Sequence, residues 1–335
     1  MISLTTTGDT NWVYRYNGPG NGNDGVFSIT YGTDGNIYAV GYSTVDMYDF
    51  TVISLTTTGD TNWVYLYNGP ANDNDYAHSI IYGVDGNIYA AGSSQGSDTY
   101  EDFTVISLTT TGDTNWVYRY DGPIYDYANS IVYGADGNIY AAGSSWESTT
   151  SNDFTVISLT TNGDTNWVYR YNGSANYTDY ANSIIYGADG NIYAAGRTQT
   201  GTFDDFTVIS LTTSSDTNWV YRYNGPGNYY DEANSIVYGA DGNIYAAGRS
   251  QGIGTYADFT VISLPGDYGV EEDNKTVLKT SFNATILSGP LQLPAGKNCK
   301  TFDIMGRVVI PDQLKPGVYF IQIDNQIVQT VVKVR

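Results

Sequence analysis

Most of this chain is built without cysteine, histidine or lysine. Cys299 is the only cysteine in 335 residues, so no intrachain disulfide can form and cysteine usage says nothing about compartment. His78 is the only histidine. Lysine is absent before Lys275: up to residue 265, six arginines stand against 28 acids, a net charge of −22. A body this acidic repels nucleic acid and anionic membrane surfaces and favours cationic partners. The last 70 residues carry eight basic and seven acidic groups, a net of +1. Long hydrophobic runs are missing as well, and none approaches the roughly 18 residues that cross a bilayer as a helix. No secretory leader is read at the start, because Met1-Ile2-Ser3-Leu4 runs straight into Thr-Thr-Thr-Gly-Asp-Thr.

What the chain has instead is repetition. Trp12, Trp63, Trp116, Trp167 and Trp219 recur at spacings of 51, 53, 51 and 52, each inside Asn-Trp-Val-Tyr. Each is followed by an Asp-Gly-Asn-Ile-Tyr-Ala block whose acids are Asp34, Asp85, Asp136, Asp189 and Asp241. Between blocks runs Asp-Phe-Thr-Val-Ile-Ser-Leu, with Phe50, Phe103, Phe154, Phe206 and Phe259. A fixed period of this length signals a solenoid, a propeller or an array.

Each unit reads as four short strands. Phe-Thr-Val-Ile-Ser-Leu is β-branched and of strand length, and Trp-Val-Tyr-Arg-Tyr alternates. Ser-Ile-Ile-Tyr and Asn-Ile-Tyr-Ala-Ala-Gly flank an Asp-Gly pair, which suits a tight hairpin. Four antiparallel strands repeated radially make a propeller blade; a linear β-solenoid is the alternative. The expected fold is therefore all-β: a five-bladed β-propeller of ~52-residue four-stranded repeats over 1–265. Residues 234–264 are expected to complete a blade with the N-terminal Trp strand, although Ile2–Leu4 and Phe259–Leu264 then compete for one position. The paired alanines and glycine at Ala90-Ala91-Gly92 suit close packing of one blade on the next. A polar linker, 266–276, leads to single strands over 277–335, punctuated by Gly306, Pro316-Gly317 and Asp324-Asn325, which read as a small antiparallel β-sandwich.

Catalytic signals are weak. His78 stands where the other repeats have Phe27, Asn129, Asn182 and Asn234, so it reads as a loop variant, and no nucleophile-elbow sequence is present. Cys299 lies near Lys297 and Lys300, a setting that lowers a thiol pKa, but a half-buried inert thiol is the better reading. The pairs Asp204-Asp205, Asp231-Glu232 and Glu271-Glu272 point to opposite faces if on strands, so they do not form acid/base couples by themselves. The Asp-Gly-Asn turns lack the dense oxygen array of a calcium loop.

Two sets of residues are better candidates. Asp24, Asp75, Asp126, Asp179 and Asp231 precede the Ser-Ile-Ile-Tyr strand or its counterpart in every copy; if that strand lines the axis, five carboxylates around one channel mouth could hold Ca2+ or another cation. The alternative is that each caps its own turn. The second set comes from the connections that vary between copies. One joins the Ala-Ala-Gly strand to the next, as in Tyr42–Tyr48 or Ser93–Glu101; the other follows the Trp strand, as in Pro19–Asn23 or Pro226–Tyr230. In an up-and-down blade these loops share one side. They carry Tyr48, Tyr100, Tyr125, Trp146, Tyr177, Phe203, Tyr229, Tyr230 and Tyr256. Rigid aromatics among Ser, Gly and Asn have the composition of a recognition surface.

The cycle Asp-Tyr-Ala-x-Ser-Ile, Asp-Gly-Asn-Ile-Tyr-Ala-Ala-Gly, Asp-Phe-Thr-Val-Ile-Ser-Leu resembles the bacterial β-propeller repeat called SBBP. The resemblance implies that the Ser-Ile-Ile-Tyr strand is innermost and the Trp strand outermost. The C-terminal run Phe302-Asp303-Ile304-Met305-Gly306-Arg307-Val308-Val309, then Leu314-Lys315-Pro316-Gly317-Val318-Tyr319, resembles a type A sorting domain of the type IX secretion system. Gly306, Arg307, Gly317 and Tyr319 carry that likeness. It implies export through the type IX machinery to the medium or outer-membrane surface, a route whose cargo also carries a leader; a circular arrangement or a missing N-terminus are the two accounts of the abrupt start. The expected function is a non-catalytic binding scaffold for a glycan or protein, without a cofactor, nucleic acid or membrane span. A polysaccharide lyase or glycosidase, and a pure spacer, are the alternatives.

Overall fold

The computed structural model describes residues 1–97, 100–146, 151–254, 256–266, 285–287, 291, 299–303, 307–311, 314–323 and 326–333. The chain divides into two compact units, Met1–Glu271 and Glu272–Arg335.

The first unit is a row of antiparallel sheets, one per repeat. A ribbon of β1 (Ile2–Leu4) and β2 (Thr10–Val13) comes first. Blade 1 follows as β3 (Asp24–Tyr31), β4 (Ile37–Thr44), β5 (Tyr48–Leu55) and β6 (Thr61–Tyr67). Blade 2 is β7 (Asp75–Tyr82), β8 (Ile88–Gln95), β9 (Glu101–Leu108) and β10 (Thr114–Tyr120). Blade 3 is β11 (Asp126–Tyr133), β12 (Ile139–Trp146), β13 (Asn152–Leu159) and β14 (Thr165–Tyr171). Blade 4 is β15 (Tyr180–Tyr186), β16 (Ile192–Gln199), β17 (Asp204–Leu211) and β18 (Thr217–Tyr223). The last sheet has three strands, β19 (Glu232–Tyr238), β20 (Asn243–Gln251) and β21 (Ala257–Pro265). Strands pair in sequence order, and the first strand of each blade neighbours the first strand of the next.

Short-range chemistry explains the hairpins. At Asp85-Gly86-Asn87, Gly86 takes φ +83° and its N–H donates to Gly83 O at 3.0 Å. At the other hairpin, Gly112 takes φ +89° beneath the Trp63 indole, where a Cβ would lie 2.8 Å from the ring. Trp63 Nε1 donates to Thr110 O at 2.8 Å, tying blade 1 to blade 2; Trp116 and Trp167 repeat the bond to Thr161 O and Thr213 O.

The core lies between sheets. Tyr38, Val40, Phe50 and Val52 of blade 1 pack on Ala77, Ile80, Ile88, Ala90, Ile106 and Leu108 of blade 2. The same cluster recurs at the next junctions. Gly92 serves a different purpose from the expected one. A Cβ there would sit 1.8 Å from Tyr76 O, so the glycine admits the bulge of its own inner strand rather than the neighbouring blade.

The ends depart from expectation. β2 pairs with β1, placing Ser3 opposite Trp12, and does not lie beside β21. A hairpin partner a few residues away is reached at far lower closure entropy than one some 250 residues on. The ribbon imitates the outer half of a blade: Asn11 Nδ2 donates to Ser3 Oγ at 3.2 Å, as Asn62 does to Ser54 Oγ, and Trp12 Nε1 donates to Thr57 O at 2.8 Å. Where an inner half would stand, a cavity of about 340 Å³ opens between Tyr14, Tyr16, Val26, Val40 and Ile53.

The second unit contains one five-stranded sheet among the described residues. Its order is β22 (Thr285–Leu287), β26 (Gln326–Lys333), β25 (Gly317–Ile323), β23 (Cys299–Asp303), β24 (Val308–Val309). β22 runs parallel to β26 and the other pairs are antiparallel. The described residues thus form a single mixed sheet, and a second facing sheet is not among them.

Candidate functional site

The five carboxylates of the expected cation ring do not gather. Each closes its own loop by accepting two backbone N–H groups, one from a glycine in the loop after the Trp strand and one from the end of the second strand. Asp75 takes Gly69 N at 2.7 Å and Gln95 N at 3.1 Å. Asp126 takes Gly122 N and Trp146 N; Asp179 takes Gly173 N and Gln199 N. Asp24 takes Gly18 N and Thr44 N; Asp231 takes Gly225 N and Gln251 N. Asp75, Asp126, Asp179 and Asp231 are fully buried. Burial outweighs the N–H donors and pushes Asp126 up to about 6 and Asp179 up to about 7. Among the described residues no three His, Cys, Asp or Glu side chains converge as a metal site. The two N–H bonds explain an aspartate at this position in every copy.

The hairpin acids are similarly engaged. Asp85 accepts from Asn87 N at 3.1 Å and from the buried Tyr89 hydroxyl at 2.5 Å, and Asp34 and Asp136 repeat this. The paired carboxylates separate. Asp204 pairs with Arg197 at 3.1 Å while Asp205 accepts from Thr200 Oγ1 at 2.5 Å; Glu232 pairs with Arg249 at 2.9 Å. Glu271-Glu272 lies outside the described residues, as do Lys297 and Gly306. Cys299 is partly exposed at the start of β23. His78 lies between rings, 5.3 Å from Phe27 and 6.2 Å from Tyr76, and burial lowers its pKa.

The variable loops do share one side, and the aromatics there assemble into three groups. Tyr48 packs on Tyr42 at 4.8 Å and Tyr76 at 5.7 Å, and Tyr42 reaches Phe27 at 5.6 Å. Tyr100 packs on Tyr125 at 4.6 Å, and Tyr125 stacks with Tyr127 at 6.2 Å. Phe203 meets Tyr229 at 4.1 Å and Tyr230 at 5.2 Å. Trp146 is half-buried, whereas Tyr177 and Tyr256 stand 61% and 92% exposed. Sequence reasoning missed the strand residues in these groups, Tyr42, Tyr76 and Tyr127. Their signal was a change of residue type across the copies at two paired strand positions: Tyr42, Ser93, Ser144, Arg197, Arg249 at one, and Gly25, Tyr76, Tyr127, Tyr180, Glu232 at the other.

Arginines hold parts of this side together. Arg119 bonds Asp102 at 2.5 Å, Ser94 Oγ at 2.9 Å and the Tyr67 hydroxyl of the preceding blade at 3.2 Å. Arg197 lies over the Tyr180 ring, 4.7 Å from its centroid. In the second unit, Gly317 opens β25 opposite Lys333, and the buried Tyr319 donates to Lys315 O at 2.8 Å. Arg307 is exposed just before β24.

Repeated four-stranded antiparallel blades, packed face to face in sequence order, define a propeller-like all-β repeat protein. No protein-family model matches the chain, and no curated protein matches it. Among solved structures, the chain is similar to the Pan2 WD40 domain of Neurospora crassa, with a TM-score of 0.47 and 12% identity. That likeness covers 72% of this chain and 62% of the other, so the chain spans less than two thirds of that structure. A protein of unknown function from Dyadobacter fermentans gives a TM-score of 0.41 at 12% identity, over 66% of this chain and 74% of that one. A candidate glycoside hydrolase from Parabacteroides distasonis gives 0.37 at 10% identity, over 70% and 86%. At this level of likeness neither ligand nor activity transfers.

Proposed function

We propose that this chain is a non-catalytic binding scaffold, exported to the medium or the outer-membrane surface, with its ligand on the variable-loop side. The observation that carries this reading is the clustering of loop aromatics into groups on one side of a rigid sheet array. Large rigid rings with polar tips give contact area at low entropic cost, and loops tolerate change while the sheets beneath them do not. The ligand class is a glycan or a protein, and similar weak sites on adjacent blades would add through effective concentration.

The same proposal includes a five-bladed ring, of SBBP type, closed by one composite blade. β19 and β20 have the residues of an inner half and β2 those of an outer strand. Val26 and Ile29 at one end and Phe259 and Val261 at the other are exposed, and their counterparts Ala77, Ile80, Phe103 and Val105 are buried at internal junctions. In the second unit, the motif order around Arg307, Gly317 and Tyr319, with Gly306, supports a type IX sorting role, hence partnership with that machinery.

A glycan and surface-protein array probed with the full chain tests the binding reading. The expected result is a ligand whose capture falls at least tenfold in a Phe203→Ala, Tyr229→Ala, Tyr230→Ala variant that melts normally. Unchanged capture, or none by the parent chain, overturns it. Mass spectrometry of both termini in surface, medium and cytosolic fractions tests export: an intact cytosolic Met1–Arg335 species sinks the sorting role.

A further inference from the structure

Blade 4 contains, within the chain itself, a worked example of cation capture on the variable-loop side. Tyr180 lies opposite Arg197 on β15 and β16, and Asp204 starts β17. The Arg197 guanidinium sits 4.7 Å above the Tyr180 ring and 3.1 Å from the Asp204 carboxylate. An aromatic face and a carboxylate together hold a planar cation, the ring through its quadrupole and the acid through charge-assisted hydrogen bonds.

The same register in blade 2 keeps the ring and the acid but lacks the cation. Tyr76 lies opposite Ser93, as Tyr180 lies opposite Arg197. Glu101 starts β9 opposite Gln95, as Asp204 starts β17 opposite Gln199. Ser93 is 1% exposed and its Oγ has no hydrogen-bond partner. Glu101 is half-buried and has no ion pair among the described residues. Burial raises the pKa of both Tyr76 and Tyr127; the Glu101 charge adds to this next at Tyr127, and behind the Tyr48 and Tyr42 hydroxyls at Tyr76. Each of those tyrosines belongs to an aromatic group: Tyr76 with Tyr42 and Tyr48, Tyr127 with Tyr125 and Tyr100. β9 packs both on β8, which pairs with the Tyr76 strand, and on β11, which carries Tyr127, so its first residue, Glu101, stands between two sets of rings; residues 1–265 carry a net charge of −22, which draws cations towards it.

We propose that this place, around Glu101 between Tyr76 and Tyr127, takes an arginine side chain presented by a partner polypeptide. The partner's guanidinium supplies in blade 2 what Arg197 supplies in blade 4. Arginine fits better than lysine because its planar group stacks on a ring and pairs with a carboxylate at once, whereas an ammonium is a strongly hydrated point charge. The inference rests on the binding-scaffold reading and names the partner chemistry of that face.

Titration calorimetry of the full chain with a blocked glycine-rich peptide carrying two arginines, beside its lysine counterpart, tests it at physiological and at high salt. Expected are a measurable complex with the arginine peptide, at least fivefold weaker binding of the lysine peptide, and at least a tenfold loss in Glu101→Gln. A second variant, Ser93→Arg, restores the blade 4 arrangement and should block the peptide while melting as a folded protein. Equal binding of both peptides that vanishes at high salt and ignores Glu101→Gln would mean only diffuse attraction to an acidic surface, and overturns the proposal. Absence of any binding at millimolar peptide overturns it too. If the array still finds a ligand lost on Phe203, Tyr229 and Tyr230 substitution, the scaffold reading survives and only the arginine site falls.

Discussion

Phe206 and Phe259 occupy the same phrase, Asp-Phe-Thr-Val-Ile-Ser-Leu, yet the first is fully buried and the second is 86% exposed. Val208 is fully buried and Val261 is 56% exposed. At the other end, Ile80 is 4% exposed but its counterpart Ile29 is 56% exposed. Identical strands thus have opposite environments because a blade has no core of its own; its apolar side is covered only by the next blade. This is the behaviour of a quasi-one-dimensional array, in which stability is the sum of units and nearest-neighbour junctions.

The comparison breaks most decisively at those phenylalanines. Phe206→Ala should cost about 3–5 kcal/mol in chemical denaturation, the usual loss for truncating a buried aromatic. If the ring closes, Phe259→Ala costs at least about 2 kcal/mol, whereas a change below about 0.5 kcal/mol marks an open end. A crosslink sharpens the same point. Val52 pairs with Tyr65 in blade 1, so closure places Val261 opposite Tyr14. In a Cys299→Ser background, Tyr14→Cys with Val261→Cys should give an oxidised monomer of faster mobility. Recovery of only reduced monomer under mild oxidation would leave the ends apart.

A smaller effect separates the buried loop clasps from ordinary surface acids. Asp126 and Asp179 are raised to about 6 and about 7 by burial, above the usual aspartate value of about 4. Between those values the folded state binds more protons than the unfolded one. Their stabilising contribution is complete below about pH 4 and is lost as pH rises through 6 to 7. The melting temperature should therefore fall between pH 4.5 and 8 at fixed ionic strength, and Asp179→Asn should flatten that slope. A melting curve insensitive to pH over this range counts against neutral clasps.

The smallest expected effect lies at one departure from the repeat. Gly8, Gly59, Gly112 and Gly163 adopt positive φ in their hairpins, but blade 4 has Ser215 at φ +73°. A side chain there has left-handed strain, and its position matches that where a Cβ would crowd Trp116 at Gly163. Ser215→Gly should raise stability by about 1 kcal/mol, read as a higher denaturant midpoint. The equivalent exposed change Ser214→Gly serves as the control and should not stabilise.

Strand order and hairpins were legible because they depend on neighbours within a few residues. Alternation, Asp-Gly-Asn and Thr-Gly-Asp each act locally, and the backbone follows them. The role of Asp75 was half legible: its recurrence was plain, but two N–H donors, one six residues before it and one 20 residues after it, converge only once the sheet forms. Gly92 was misassigned for the same reason, since Tyr76 O approaches it only through a bulge. The grouping of Tyr48 with Tyr42 and Tyr76 crosses a blade junction and had no short-range signal.

What the sequence alone determined is the repeat: its period, four strands per unit, the acidic body and the change of character near residue 265. Tertiary structure alone decided which copies of one phrase are buried, which carboxylates have a cation beside them, and that β2 lies with β1. The physical reason is range. Backbone propensity and turn chemistry act over a few residues and are the same in every copy, whereas burial and ion pairing depend on what lies on the far side of a sheet.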